Sequence, residues 1–67
     1  MTEKNGVQIV PVHAGPRVLV VDDELDFMET LVKRLERRGF EVTGVGGGQE
    51  ALRLLQIARF DVVVLDV

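Results

Sequence analysis

Three aspartates carry the chemistry that this sequence could perform. Asp22 and Asp23 are adjacent and close the apolar run Val18-Leu19-Val20-Val21, and Asp66 closes a second run, Val62-Val63-Val64-Leu65. Carboxylates gathered at one place repel one another, and a hard divalent cation removes that conflict. Mg²⁺ suits such a site because it takes carboxylate oxygens while keeping several of its waters. A carboxylate beside it is prepared for phosphoryl transfer, where catalysis is mainly positioning and charge stabilisation. Such a carboxylate can itself be the nucleophile and form an aspartyl-phosphate. A single aspartate would be read as a cap on a strand end or helix start. A pair plus a third acid at an equivalent strand end points to a site.

Those acids have to be delivered by something rigid. A continuous apolar run without alternation suits a strand buried on both faces, as in a parallel sheet covered by helices. An unpaired buried charge is costly, so the carboxylates are expected where each strand leaves the sheet. After the first strand the period changes: Leu25, Met28, Leu31, Val32 and Leu35 recur at helical spacing, with Phe27 flanking the stripe. Acids Asp23, Glu24, Asp26 and Glu29 lead this helix, and Lys33, Arg34, Arg37 and Arg38 end it, an order that complements the helix dipole. The basic end is read as a solvated helix terminus rather than a phosphate patch. Gly39 stands where a left-handed C-terminal cap is expected. Residues 40–45 read as a second strand and Gly46-Gly47-Gly48 as a turn. A second helix is predicted from about Gln49 to Ala58, burying Ala51, Leu52, Leu55 and Ile57 or Ala58. Phe60 then leads into the third strand.

Strand, helix, strand, helix, strand with short connections implies an α/β fold with parallel pairing and right-handed crossovers. The expected order is 2-1-3, a doubly wound parallel sheet, with the two helices on opposite faces. The crevice between strands one and three is then the switch point at which open α/β sheets bind ligands. Asp22 and Asp23 would line one side of it and Asp66 the other.

The totals bound the rest. The chain has 67 residues, a hydrophobic fraction of 46%, no cysteine and a formal net charge of -3. A chain this short buries only about 60% of its unfolded surface, so its stability is expected to be marginal. Its charge gives no reason to expect nucleic-acid binding or attraction to an anionic membrane. No apolar run approaches the roughly 20 residues that span a bilayer, and no basic segment precedes an apolar one at the N-terminus. A cytoplasmic location is expected. Residues 1–16, interrupted by Pro11 and Pro16, are expected to form a disordered leader, and residues 17–67 the folded part.

Four motifs at their spacing resemble the receiver domain of bacterial response regulators: Val18-Leu19-Val20-Val21-Asp22-Asp23-Glu24, the helix ending at Gly39, Gly47-Gly48-Gln49-Glu50-Ala51-Leu52, and Phe60-Asp61-Val62-Val63-Val64-Leu65-Asp66-Val67. The resemblance implies a flavodoxin-like fold with strand order 2-1-3-4-5, of which this chain carries β1-α1-β2-α2-β3, the N-terminal half. It implies that Asp66 is the phosphoacceptor, receiving phosphate from a sensor histidine kinase or a phosphotransfer protein. Asp23 then corresponds to the direct Mg²⁺ ligand, Asp22 to the acid acting mainly through a metal-bound water, and Asp66 also touches the metal. The family is autocatalytic in this transfer and is not an enzyme in the ordinary sense. Its output domain is expected to be missing or to lie on another segment. The hydroxyl and lysine that hold the phosphoryl oxygens in relatives belong to the second half, so residues 1–67 alone are expected to take up little or no phosphate.

Two other readings compete. Gly44-Val45-Gly46-Gly47-Gly48 followed by a helix, with Asp66 about 20 residues on, is similar to a dinucleotide-binding half-domain. That reading leaves Asp22 and Asp23 unexplained, and Glu50 would put negative charge where pyrophosphate should sit. The other is a structural fragment without chemistry. Its third strand would present a bare apolar edge, and the isolated chain is expected either to fold poorly or to self-associate through that edge.

Overall fold

The computed structural model describes residues 15–66. It contains β1 (Arg17–Asp22), α1 (Leu25–Arg37), β2 (Glu41–Val45), α2 (Gly48–Ile57) and β3 (Val62–Asp66). The three strands form one parallel sheet in the order β2-β1-β3. The predicted element order, fold class and strand order are all observed, with boundaries displaced by a residue or so.

β1 is central because its side chains are apolar on both faces. Leu19 and Val20 are essentially inaccessible, and Val18 and Val21 are buried with them. Leu19 and Val21 point to one face, where Val45 of β2 and Ala51 of α2 join them and Leu54 and Phe60 pack alongside. Burying each such Val or Leu side chain contributes roughly 1.5–3 kcal/mol. Val18 and Val20 serve the opposite face, which α1 covers. There Gly44, paired with Val20, lets α1 come close: a Cβ at Gly44 would lie 2.9 Å from Met28 Sδ and 3.3 Å from Val32 Cγ2.

The stripe predicted for α1 is present, with Met28, Leu31, Val32 and Leu35 half-buried. Leu25 and Phe27 are exposed. The helix ends in a Schellman arrangement. Gly39 adopts φ +92°, the Phe40 N–H donates to the Leu35 carbonyl at 3.1 Å, and the Gly39 N–H donates to that of Glu36 at 3.0 Å.

The phase of α2 differs from the prediction. Ala51 is buried and Leu54 and Ala58 are half-buried, whereas Leu52, Leu55 and Ile57 are exposed. The helix has apolar residues on more than one side, and its contact with β1 and β2 selects the 51-54-58 stripe. Neither helix packs on β3 among the described residues. Val62, Val63 and Leu65 are consequently exposed, Leu65 at 67%.

At the amino ends of the strands, Arg17 ties the sheet together. Its N–H donates to Asp61 Oδ2 and its carbonyl accepts the Asp61 N–H, both at 2.8 Å. Its guanidinium reaches Glu41 at 3.4 Å and lies 5.3 Å from the Phe60 ring centroid. Asp61 is thus a structural acid. The expected leader falls outside the described residues up to residue 14. Its last two residues are tied down: Gly15 packs on the Gly39 carbonyl, and the Pro16 carbonyl accepts the Glu41 N–H at 2.9 Å.

Candidate functional site

The register of β1 and β3 sets the site. Asp22 is the direct partner of Asp66, at the carboxyl ends of adjacent parallel strands. Strand alternation turns both side chains to the α1 side, in line with Val18 and Val20 on one strand and Val62 and Val64 on the other. Asp23 follows in the short link to α1. The three aspartates picked from the sequence are therefore gathered at one place, the switch point between β1 and β3.

Their surroundings differ. Asp23 and Asp66 are exposed, as expected for carboxylates leaving a sheet. Asp22 departs from that expectation: it is only 4% exposed. Its Oδ1 accepts the Glu24 N–H at 2.8 Å, which fixes the turn into α1. Its Oδ2 is buried with no hydrogen-bond partner among the described residues. The burial follows from its place in the strand, since Asp22 still belongs to the β1 ladder and pairs with Asp66.

The acids open into a cleft of about 380 Å³ lined by Asp22, Asp23, Glu24, Phe27 and Asp66. A smaller lobe of about 130 Å³ shares the three aspartates and is closed by Val21 and Gly46-Gly47-Gly48. Among the described residues no lysine or arginine lines either space. Glu24 and Phe27 were not singled out from the sequence as site residues. The signal was there for Glu24, which directly follows the aspartate pair; Phe27 comes one helical turn later on the same helix start. The N-terminal ends of α1 and α2 both border these spaces, and their dipoles favour negative charge there.

An orphaned, buried carboxylate oxygen among further acids fits a divalent cation, which would supply the missing partner. Among the described residues, no group of three or more acids or histidines is arranged to hold a metal by itself. Mg²⁺ keeps several of its waters and so does not require the carboxylates to form a complete cage. The alternative nucleotide reading loses its glycine argument here. Gly44 is accounted for by the approach of α1, and Gly46 to Gly48 face carboxylates, which would repel a pyrophosphate.

Among the described residues no helix is long and apolar enough to cross a membrane. Comparison with known proteins agrees with the geometry. The profile of the response regulator receiver domain matches residues 18–67. The chain is 46% identical over 54 residues to the transcriptional regulatory protein PrrA of Mycobacterium leprae, covering 81% of this chain and 23% of the relative. It is 43% identical over 67 residues to the two-component response regulator ARR11 of Arabidopsis thaliana, covering 97% of this chain and 12% of that protein. To the alkaline phosphatase synthesis transcriptional regulatory protein PhoP of Bacillus subtilis it is 41% identical over 51 residues, covering 76% of this chain and 21% of PhoP. The chain thus spans about a quarter or less of the length of these relatives. No solved structure matches it significantly. With its parallel 2-1-3 sheet, its aspartates at the switch point and a family profile that covers most of its residues, the chain belongs to the response regulator receiver domain family of two-component systems.

Proposed function

We propose that this chain carries the phosphoacceptor pocket of a two-component phosphorelay, with Asp66 as the residue that takes the phosphoryl group. The observation that best supports this reading is the pairing of exposed Asp66 with buried, half-satisfied Asp22 across one cleft. The donor is the phosphohistidine of a sensor kinase or of a phosphotransfer protein. An Asp66 carboxylate oxygen forms the new O–P bond while the P–N bond of the phosphohistidine breaks, and its electron pair returns to the ring nitrogen. Asp66 is suited to the attack because it is exposed at the mouth of the cleft. Asp22 and Asp23, with Asp66, would hold Mg²⁺. When bound, that cation offsets the charge on the phosphoryl oxygens as they approach the carboxylates. Asp22 is held in place by the Glu24 N–H, and β1 on which it sits is the most buried element of the fold. The protein is the acceptor of the group rather than an enzyme turning over a separate substrate.

The test is covalent labelling. The chain, alone and joined to the second half of a family receiver, is incubated with Mg²⁺ and acetyl phosphate and followed by intact mass. One base-labile phosphoryl group is expected on the joined parent and none on Asp66→Asn. A joined parent that folds and stays unlabelled would refute the reading.

A further inference from the structure

The cleft has a fourth acid, Glu24, whose carboxylate makes no hydrogen bond or ion pair with the other described residues. Glu24 is the N-cap residue of α1, yet its side chain makes no capping hydrogen bond. Its backbone is engaged on both sides: the N–H donates to Asp22 Oδ1 at 2.8 Å and the carbonyl accepts the Met28 N–H at 3.0 Å. The residue is exposed, and it lines the cleft with Asp22, Asp23 and Asp66. Among the described residues that line the cleft, none is a cation that would balance it. The aspartates already account for the metal and the nucleophile. The extra charge falls on whatever approaches Asp66.

Resting on the phosphoacceptor reading above, we infer that Glu24 is a donor-specificity residue: its charge selects against strongly anionic small phosphodonors at Asp66. Acetyl phosphate approaches as a dianion. Phosphoramidate approaches as a zwitterion with one net negative charge. In both transfers an Asp66 oxygen forms the O–P bond. With acetyl phosphate the P–O bond breaks and the electron pair leaves on acetate. With phosphoramidate the P–N bond breaks and the already protonated nitrogen leaves as ammonia. The chemistry at Asp66 is the same, so the difference between donors reports the charge at the cleft mouth. For unit charges about 7 Å apart in water, one extra charge on the donor changes its rate about threefold. Salt weakens the effect, because the charges face solvent.

The experiment measures initial labelling rates of Asp66 with both donors, in the chain alone and joined to the second half of a family receiver. The parent is compared with Glu24→Gln, Glu24→Lys and Glu29→Gln. Glu29 is exposed on the same helix but does not line the cleft, so it controls for net charge. The acetyl phosphate to phosphoramidate rate ratio is expected to rise about threefold in Glu24→Gln and further in Glu24→Lys and to stay unchanged in Glu29→Gln; in high salt the parent's ratio is expected to rise, and that of Glu24→Lys to fall, toward that of Glu24→Gln. Labelling with an unchanged ratio in both Glu24 variants overturns this inference alone. A ratio that moves equally in Glu29→Gln also overturns it, since net charge then suffices. Absence of label from both donors in every form overturns the phosphoacceptor reading and this inference with it.

Discussion

Replacing Asp22 by Asn should make the metal-free protein more stable while removing its response to metal. Asp22 is 4% exposed, and its Oδ2 has no partner. A buried polar atom without a partner costs about 1–3 kcal/mol. Asn keeps an acceptor for the Glu24 N–H and puts a donor in place of Oδ2, facing a cleft lined by Asp23 and Asp66. It also removes one charge from a group of like charges. The expected gain is about 1–2 kcal/mol in EDTA, which for a domain of this size raises Tm by about 4–15 °C. Mg²⁺ at ten times its dissociation constant would return about 1.4 kcal/mol to the parent and little to the variant, so the gap narrows. Thermal unfolding followed by circular dichroism, in EDTA and in Mg²⁺, reads both effects. An Asn variant that melts at or below the parent in EDTA would refute the argument, as would one that gains as much from Mg²⁺ as the parent does.

Three further outcomes follow from the packing. Leu19→Ala, at a fully buried position, should cost about 2–5 kcal/mol and lower the urea midpoint. Gly39→Ala should cost about 1–2 kcal/mol, because φ +92° is a left-handed conformation that a Cβ disfavours, with the same urea titration as readout. Leu65→Lys, on the exposed β3, should reduce concentration-dependent association in sedimentation velocity without lowering helix content, since a lysine on an apolar edge strand opposes pairing with another chain.

Most of the scaffold was legible in the sequence because its signals are local. Val18 to Val21 and Val62 to Leu65 are unbroken apolar runs, and Gly39 marks the end of α1 where only glycine is at ease. The order 2-1-3 is the one that brings the acids of both strand ends to a single switch point, and crossover handedness alone would not have chosen it. The phase of α2 was not legible. Leu52, Leu54, Leu55 and Ile57 offer apolar surface on several sides, and only contact with β1 and β2 chooses Ala51, Leu54 and Ala58.

The site was legible as a set of aspartates but not as an environment. The expectation that carboxylates stay clear of burial holds for Asp23 and Asp66 and fails for Asp22, whose pairing with Asp66 keeps it in the ladder. An acid at the start of a helix is normally explained by the dipole, and that explanation hid Glu24 as a wall of the cleft. The spacing puts Phe27 beside the core stripe of α1, and the helix instead turns it toward the acids. Both misses concern where a helix start points relative to a neighbouring strand, which periodicity alone does not contain.

The central claim is that Asp66 is the phosphoacceptor. Its most direct test is the intact mass of the chain joined to the second half of a family receiver, after incubation with Mg²⁺ and acetyl phosphate. A single base-labile phosphoryl group, mapped to Asp66 and absent from Asp66→Asn, is the predicted result. A folded protein that stays unlabelled, or that carries its phosphate on another residue, would contradict it.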